Sequence, residues 1–343
     1  MDRILRGIIR YRYLDRDVMV KQFQKVKDNP QPKAVFFTCM DSRMIPTRFT
    51  ETCVGDMFVV RNAGNLIPHS QHFADEHTSC EPAALELGCI INDIRHVIVC
   101  GHTDCKAMNL LYTLRDKNES SQDNRRLSPL KSWLCTHAHS SLDKFLGMKG
   151  DFKQPMVFTA ETQLMKFVAY IDPEDKFAIE DKLSQLYFVT RSEWPSISQL
   201  SPPNLHPLPS STVSQSTAIV LYLLYCLPPT ASLSTASPHT VSSHTASVVA
   251  SPLPKIKYSH ILFNLVPNLI LFFQVNTLQQ LSNIASYGFL KKKLQSHKLH
   301  IHALWFDIYT GDIYYFSRRA KKFVIIDENT FDTLLAEIRR YYS

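Results

Sequence analysis

The stretch "TCMDSR", Thr38 to Arg43, carries a thiol, a carboxylate and a guanidinium at alternate positions directly after the apolar run "KAVFF". A second apolar run ends in "CGHTDC", which spaces His102 and Cys105 as H-x-x-C. Two cysteine thiolates and one imidazole are ligands that zinc prefers, and three protein ligands with one open position are typical of a catalytic zinc. Cys39, His102 and Cys105 are therefore the candidate ligands of a zinc ion.

Each of these signals is weak by itself. A buried cysteine is usually a small core residue, and an aspartate and an arginine two residues apart most often form an exposed ion pair of little energetic weight. Their joint occurrence after two apolar runs favours a metal site, because the carboxyl ends of parallel strands share one edge of a sheet. Cys39 can then lie beside His102, although 63 residues separate them in the chain.

Asp41 and Arg43 are the candidate catalytic residues. A zinc ion bound by two thiolates is electron-rich, so neighbouring groups must help to set which oxygen species occupies the open position. An ionised Asp41 can accept a hydrogen bond from that species, and Arg43 can keep Asp41 ionised and oriented through a bidentate pair. Zinc lowers the pKa of bound water and so makes hydroxide available near neutral pH.

The elements that must position these residues form an α/β pattern. Two short buried strands are indicated by "AVFFTC" and "HVIVCGH", with a helix over "EPAALELGCIIND" between them. This order predicts a parallel sheet with a right-handed crossover. From Val275, helical spacing returns in "VNTLQQLSNIASYGFL", followed by an aromatic hairpin that turns at "TGD" and by a closing helix over "ENTFDTLLAEIRRYY".

The predicted fold class is therefore α/β, with a mostly parallel central sheet flanked by helices and an antiparallel C-terminal hairpin at one edge. An N-terminal helical arm precedes the sheet. Residues 186–274 interrupt this pattern: these 89 residues hold 11 of the 19 prolines, 16 serines, four charged side chains and no glycine. Such a composition does not supply a regular packed unit. We predict that residues 1–185 and 275–343 form two parts of one zinc-binding domain around a low-complexity insertion.

Two explanations of this insertion stay open. Its last residues, "LILFFQ", need pyrimidine-rich codons and can end in CAG, as the 3′ end of an intron does, which favours a translated intron over a disordered loop. Its two apolar runs are too short to span a bilayer comfortably, and Pro267 interrupts the second. We therefore assign the segment no chemistry and expect no stable membrane insertion.

Charge and cysteine content narrow the function classes. Lys and Arg number 38 against 31 Asp and Glu, but the basic residues are scattered, which favours a solvated face over a nucleic-acid groove. Eight cysteines without a secretory signal point to a reducing compartment and no structural disulfide. The Arg-rich N-terminus fits a mitochondrial transit peptide, whereas Asp2, Asp15 and Asp17 fit an ordinary helix equally well.

The pair "CMDSR" and "GHTDC" resembles the β-class carbonic anhydrases, particularly those of animals. The other stretches that carry this resemblance are "FVVRNAGNLIP", "EPAALELG", "ASYGFLKKKL" and "HALWFDIYTGDIYYF". The resemblance implies that Cys39, His102 and Cys105 bind zinc and that Asp41 and Arg43 form a catalytic dyad. The implied reaction is the reversible hydration of carbon dioxide to bicarbonate and a proton.

The resemblance also implies a homodimer or higher homo-oligomer and an intracellular location, mitochondrial or cytoplasmic, with the mitochondrion slightly favoured. Part of the family has a closed form in which the residue equivalent to Asp41 is a fourth zinc ligand, so Asp41 is also a candidate ligand here.

Two other functions stay open: hydrolysis of carbon disulfide or carbonyl sulfide on the same fold, and a zinc-stabilised scaffold without turnover. A redox thiol protein is disfavoured because the sequence contains no C-x-x-C.

Overall fold

The structure, a computed structural model, describes residues 1–74, 79–115, 128–148, 155–159, 165–170 and 259–342. The chain divides into two compact units, one formed by Met1–Lys176 with Lys257–Ser343 and the other by Phe177–Ile256. The second unit lies outside the described residues. The fold and the site reported below belong to the first unit.

Strands from both ends of the first unit build its sheet. The described strands are β1 (Ala34–Cys39), β2 (Met57–Asn62), β3 (His96–His102), β4 (Met156–Thr159), β5 (Lys166–Ala169), β6 (His300–Phe306), β7 (Ile313–Ser317) and β8 (Lys322–Ile325). Six of them form one sheet in the order β2-β1-β3-β6-β7-β8, and β4 pairs with β5 in a separate antiparallel hairpin.

The predicted parallel sheet and C-terminal hairpin are confirmed. β1 runs parallel to β2 and β3, and β3 runs parallel to β6. β7 is antiparallel to both β6 and β8. The turn between β6 and β7 contains Gly311, whose φ of 82° lies in the left-handed region that glycine adopts without a Cβ clash. β8 adds a third antiparallel strand that the sequence analysis did not predict.

Helices cover the sheet. The described helices are α1 (Asp2–Leu14), α2 (Arg16–Asp28), α3 (Pro46–Phe49), α4 (Ser70–Ala74), α5 (Cys80–Leu85), α6 (Lys106–Thr113), α7 (Pro129–His137), α8 (His139–Leu146), α9 (Ser259–Ala285), α10 (Lys291–Gln295) and α11 (Phe331–Tyr342). A π-helical stretch, Glu86–Ile91, continues α5, and a 3-10 turn, Gly288–Leu290, precedes α10. All six residues of β1 are buried, as expected of a parallel strand covered on both faces.

The helix predicted from Val275 starts 16 residues earlier, at Ser259, and so includes the last 16 residues of the proposed insertion. Ile270 to Gln274 are buried, and the Phe272 ring packs 5.3 Å from that of Phe145. The average composition of residues 186–274 did not indicate this earlier helix start. An apolar run at the end of a Ser/Pro-rich segment can still extend a helix into the core. The rest of the insertion lies outside the described residues, and the division into domains stays a prediction.

The cysteines in the described part of the chain are free thiols. Apart from the candidate ligands, Cys89 and Cys100 are buried, whereas Cys53 and Cys80 are exposed. In the same described part, no helix has both the length and the apolar character needed to cross a membrane.

Three histidines cluster at the edge of the sheet where β3 and β6 begin. His96 Nδ1 lies 3.0 Å from His302 Nε2, and the rings of His96 and His300 are 5.4 Å apart. His302 Nδ1 lies 3.1 Å from the hydroxyl of Tyr315 on β7. This histidine cluster is therefore built from three neighbouring strands.

Burial lowers the pKa of each histidine in the cluster, for His300 to about 4. Repulsion among the histidines themselves and the positive charges of Arg95 and Arg318 lower these pKa values further. An unfolded chain has histidine pKa values of about 6.5. Between about pH 4 and about pH 6.5 the unfolded chain binds more protons than the folded one. The stability that the cluster contributes is therefore fully present above about pH 6.5 and falls as the pH drops toward 4.

We expect acid to destabilise the protein through this cluster. Each of the three histidines contributes a loss of up to about 1.4 kcal/mol per pH unit in the free energy of unfolding below about pH 6.5. Urea unfolding at about pH 7.5 and about pH 5.5 measures the loss, and His302→Gln, which cannot titrate, should reduce it. His139→Gln is the control, because His139 is exposed. An equal pH dependence in His302→Gln and the unaltered protein contradicts the prediction.

Joining Gln185 directly to Val275 tests whether the inserted residues are needed. In the joined chain Gln185 precedes Val275 as Gln274 does now, and Leu183 takes the helical position of Phe272. We expect a more soluble protein with equal or higher metal content, because the removed residues contain two apolar runs and only four charged side chains. Soluble yield and bound zinc are measured on both chains.

A second deletion, which joins Gln185 to Ser259, keeps all of α9 and is the matched control. Folding of this control but not of the shorter chain would show that Ile270 to Gln274 are needed in α9. Transcripts that all retain the segment, together with failure of both deletions to fold, would show that the whole segment belongs to the working protein.

Candidate metal centre

The three predicted ligands meet at the carboxyl edge of the parallel strands. Cys39 ends β1, His102 ends β3, and Cys105 immediately precedes α6. All three are buried, and their ligand atoms lie within 4.8 Å of one another. The two sulfur atoms are 3.8 Å apart. In the part of the chain that the structure describes, this is the one group of three or more such side chains placed to hold a metal ion.

The His102 ring is oriented for ligation through one nitrogen. Its Nδ1 lies 2.7 Å from the backbone carbonyl of Thr103. Because a carbonyl only accepts, Nδ1 carries the proton and Nε2 presents a lone pair. Nε2 is buried and has no hydrogen-bond partner among the described residues. Buried polar atoms are nearly always paired, so an unpaired Nε2 beside two thiols fits a metal ligand whose other nitrogen is held by the backbone.

The two thiols are already polarised toward metal binding. The hydrogen bond with Cys105 lowers the pKa of Cys39, and the same bond raises the pKa of Cys105. The backbone N–H of Gly64 also lowers the pKa of Cys39, and N–H groups in the first turn of α6 lower that of Cys105. Cys39 is thus the first of the pair to become a thiolate. A metal ion held by Cys39 and Cys105 would take the place of the remaining proton between their sulfurs.

Thr103 anchors the ligand-bearing end of β3 to β6. Its N–H donates to the carbonyl of Phe306 at 3.1 Å, and its hydroxyl donates to Asp307 Oδ1 at 3.0 Å. The N–H of Ile308 donates back to that hydroxyl at 2.8 Å. The loop between His102 and Cys105 is therefore held by hydrogen bonds from both the backbone and the side chain of Thr103.

Asp41 and Arg43 form the bidentate pair that the sequence predicted. Arg43 Nε donates to Asp41 Oδ1 at 2.9 Å, and Nη2 donates to Oδ2 at 2.8 Å. This pairing holds the pKa of the Asp41 carboxyl well below its usual range and raises that of Arg43. Asp41 is outside the group formed by the two cysteines and the histidine. Its role as a fourth ligand therefore stays a prediction.

Two further residues, which the sequence motifs did not indicate, hold the dyad. Arg61 on β2 donates from Nη2 to the Asp41 carbonyl at 2.6 Å and from Nε to the Cys39 carbonyl at 3.1 Å. Asp104 accepts from Arg43 Nη1 at 2.9 Å. Both lie inside quoted motifs, "FVVRNAGNLIP" and "GHTDC", but only the folded loops show what they contact.

The arrangement combines a three-ligand metal site with a fixed anionic acceptor. The ligands are neutral or thiolate donors suited to zinc. Asp41 stays ionised, so its oxygens only accept hydrogen bonds, and the pair with Arg43 fixes where they point. Such a pairing suits the orientation of a small nucleophile such as water for addition to an electrophilic carbon.

Comparisons with known proteins agree with this chemistry. A family model described as carbonic anhydrase matches residues 34–167, which include all the candidate site residues. Beta carbonic anhydrase 1 of Caenorhabditis elegans is 36% identical over 346 aligned residues, which cover 100% of this chain and 94% of that protein. Its Caenorhabditis briggsae counterpart is 35% identical, over 99% of this chain and 93% of that protein.

A solved structure supports the fold. The β-carbonic anhydrase CcaA matches with a TM-score of 0.52 over 96% of this chain and 92% of that chain, at 19% identity. Similarity at this identity concerns the fold alone. The match of the full chain to the two Caenorhabditis proteins establishes the family. This chain belongs to the β-carbonic anhydrase family and is an enzyme of carbon dioxide hydration.

Proposed function

We propose that Cys39, His102 and Cys105 hold one zinc ion and that Asp41 and Arg43 serve the reversible hydration of carbon dioxide to bicarbonate and a proton. The observation that carries the proposal is the unpaired, buried His102 Nε2 beside two thiols 3.8 Å apart. When bound, zinc supplies hydroxide near neutral pH by lowering the pKa of water. The residues of the chain then bind, orient and shield the reactants.

Asp41 orients the attacking water. Both of its carboxylate oxygens accept from Arg43; Oδ1 accepts two of these hydrogen bonds, whereas Oδ2 accepts one and keeps a lone pair that can accept from water. The low pKa of Asp41 means that it does not donate a proton in this role. The water therefore points its hydrogen toward Asp41 and its lone pair toward the substrate carbon. Preorganised acceptors of this kind need no rearrangement during the reaction.

Arg43 restrains Asp41 in that orientation. The planar guanidinium matches the carboxylate with two parallel hydrogen bonds, which a lysine cannot do. The backbone N–H of Arg43 adds a third hydrogen bond, to Asp41 Oδ1 at 3.0 Å. With Arg61 holding the Asp41 carbonyl, both the side chain and the backbone of Asp41 are restrained.

Two alternatives use the same site. Carbon disulfide and carbonyl sulfide also have an electrophilic carbon between two heteroatoms, so hydrolysis of either would use the same acceptor. A scaffold without turnover would need no oriented carboxylate, and the intact bidentate pair disfavours it. Carbon dioxide hydration is the function that the family and the site geometry together support best.

We also propose that the protein forms a homodimer or a higher homo-oligomer. The N-terminal helices support this, since α1 and α2 contain no buried residue. Ile4, Leu5, Ile8 and Ile9 are each more than half exposed, which leaves an apolar face on α1. Apolar faces of this kind are typical of association surfaces. A mitochondrial or cytoplasmic location stays a prediction.

The ligand set is tested by zinc content. Purified protein should carry about one zinc per chain, and Cys39→Ser, His102→Ala and Cys105→Ser should each lose most of it, because a three-ligand site does not tolerate loss of a donor. Elemental analysis measures the metal, with Cys89→Ser as a control, since Cys89 is buried outside the group. Full zinc retention in one of the three variants would remove that residue from the ligand set.

The dyad is tested by stopped-flow hydration of carbon dioxide. Asp41→Ala and Arg43→Ala should retain zinc but lose activity by about a hundredfold, the usual scale for removing a preorganised electrostatic group. Zinc is measured on the same samples, and carbonyl sulfide is assayed in parallel to separate the alternative substrate. Rates equal to those of the unaltered protein in either variant would contradict the assigned role.

A further inference from the structure

The Arg43 guanidinium contacts two carboxylates. Besides its bidentate pair with Asp41, it donates from Nη1 to Asp104 Oδ2 at 2.9 Å. Nη2 also donates to the backbone carbonyl of Asp104 at 3.1 Å. Arg43 therefore joins the loop after β1, which carries Asp41, to the loop after β3, which carries the ligand candidate Cys105 and directly follows His102. The hydration dyad alone does not explain this second set of contacts.

The backbone of Asp104 is held in an uncommon conformation to make these contacts. Its φ of 55° lies in the left-handed region, which costs free energy for any residue with a Cβ, although aspartate tolerates it better than most. In this conformation both the carboxylate and the carbonyl of Asp104 reach the same guanidinium. Local strain that is retained next to a site is a reason to ask what function it serves.

We propose that Asp104 is a positioning residue for the hydration reaction: it anchors Arg43 from the opposite side and so fixes the orientation of Asp41. Arg43 is 37% exposed, so water competes for its donors. A guanidinium that is bonded to one carboxylate can still rotate together with that carboxylate. Hydrogen bonds to two carboxylates on different loops hold the guanidinium in one orientation. The inference rests on the proposed roles of Asp41 and Arg43.

The test compares Asp104→Ala and Asp104→Asn with a matched control, Asp93→Ala. Asp93 also has a left-handed φ, of 51°, and pairs with a basic residue, Lys293, but it precedes β3 at the opposite end of the strand. The control therefore measures how far removal of a paired aspartate with a left-handed φ lowers zinc content and the hydration rate when the aspartate is far from the site. Zinc content, the hydration rate and a crystal structure are determined for each protein.

We expect Asp104→Ala to retain zinc and to lose about tenfold in the hydration rate constant, the scale of one charge-assisted hydrogen bond. Asp104→Asn should recover part of the rate, because its amide oxygen still accepts from Nη1. Asp93→Ala should match the unaltered protein. The double variant Arg43→Ala with Asp104→Ala should be no slower than Arg43→Ala alone, because Asp104 acts through Arg43.

Crystal structures give a readout that does not depend on turnover. Arg43 should leave its bidentate position on Asp41, or occupy several conformations, in Asp104→Ala but not in Asp93→Ala. An Arg43 that keeps a single bidentate conformation in Asp104→Ala would overturn the proposal, as would additive losses in the double variant. If the unaltered protein did not hydrate carbon dioxide, the proposed function would fail, and the crystal structures would still decide whether Asp104 positions Arg43.

Discussion

The site depends on the parallel pairing of β1 with β3. In this register Ala34 pairs with His96 and Thr38 with Cys100, so both strands end at the same edge of the sheet. Cys39 and His102 are thereby neighbours, although they are far apart in the chain. Antiparallel pairing of the same two strands would place them at opposite edges, and no metal centre would form. The buried apolar runs of β1 and β3 are what make this pairing stable.

Packing of α9 on β3 adds a second constraint on the same edge. A Cβ added to Gly101 would lie 1.9 Å from Thr277 Oγ1, so α9 approaches the strand backbone directly beside His102. Only glycine allows that approach. The helix also bonds to the loop after β2, because Asn276 Nδ2 donates to the Gly64 carbonyl at 3.1 Å, and the Gly64 N–H in turn donates to Cys39. The part of the chain that follows the Ser/Pro-rich segment thus supports the metal centre directly.

The electrostatics of the site are set by two pairs of interacting groups, the two thiols and the Asp41–Arg43 ion pair. Cys39 and Cys105 share a hydrogen bond that favours one thiolate, and Arg43 keeps Asp41 ionised. The Arg43 side chain, partly exposed, bonds two carboxylates rather than one. The acceptor at the site is therefore fixed by two loops, after β1 and after β3, which adjoin the strand ends that carry Cys39 and His102.

The sequence by itself predicted the candidate ligands, the pairing of Asp41 with Arg43 and the class of sheet. These predictions follow from local patterns. A thiol or an imidazole at the end of an apolar run indicates a candidate ligand at the end of a strand. Two strands joined through a helix leave few sheet topologies open. Only the tertiary structure decided that Asp104 contacts Arg43, that His102 Nε2 is unpaired, and that α9 starts at Ser259. The physical reason is that these features depend on how segments distant in the chain pack together, and residue types and spacing within one segment do not encode that packing.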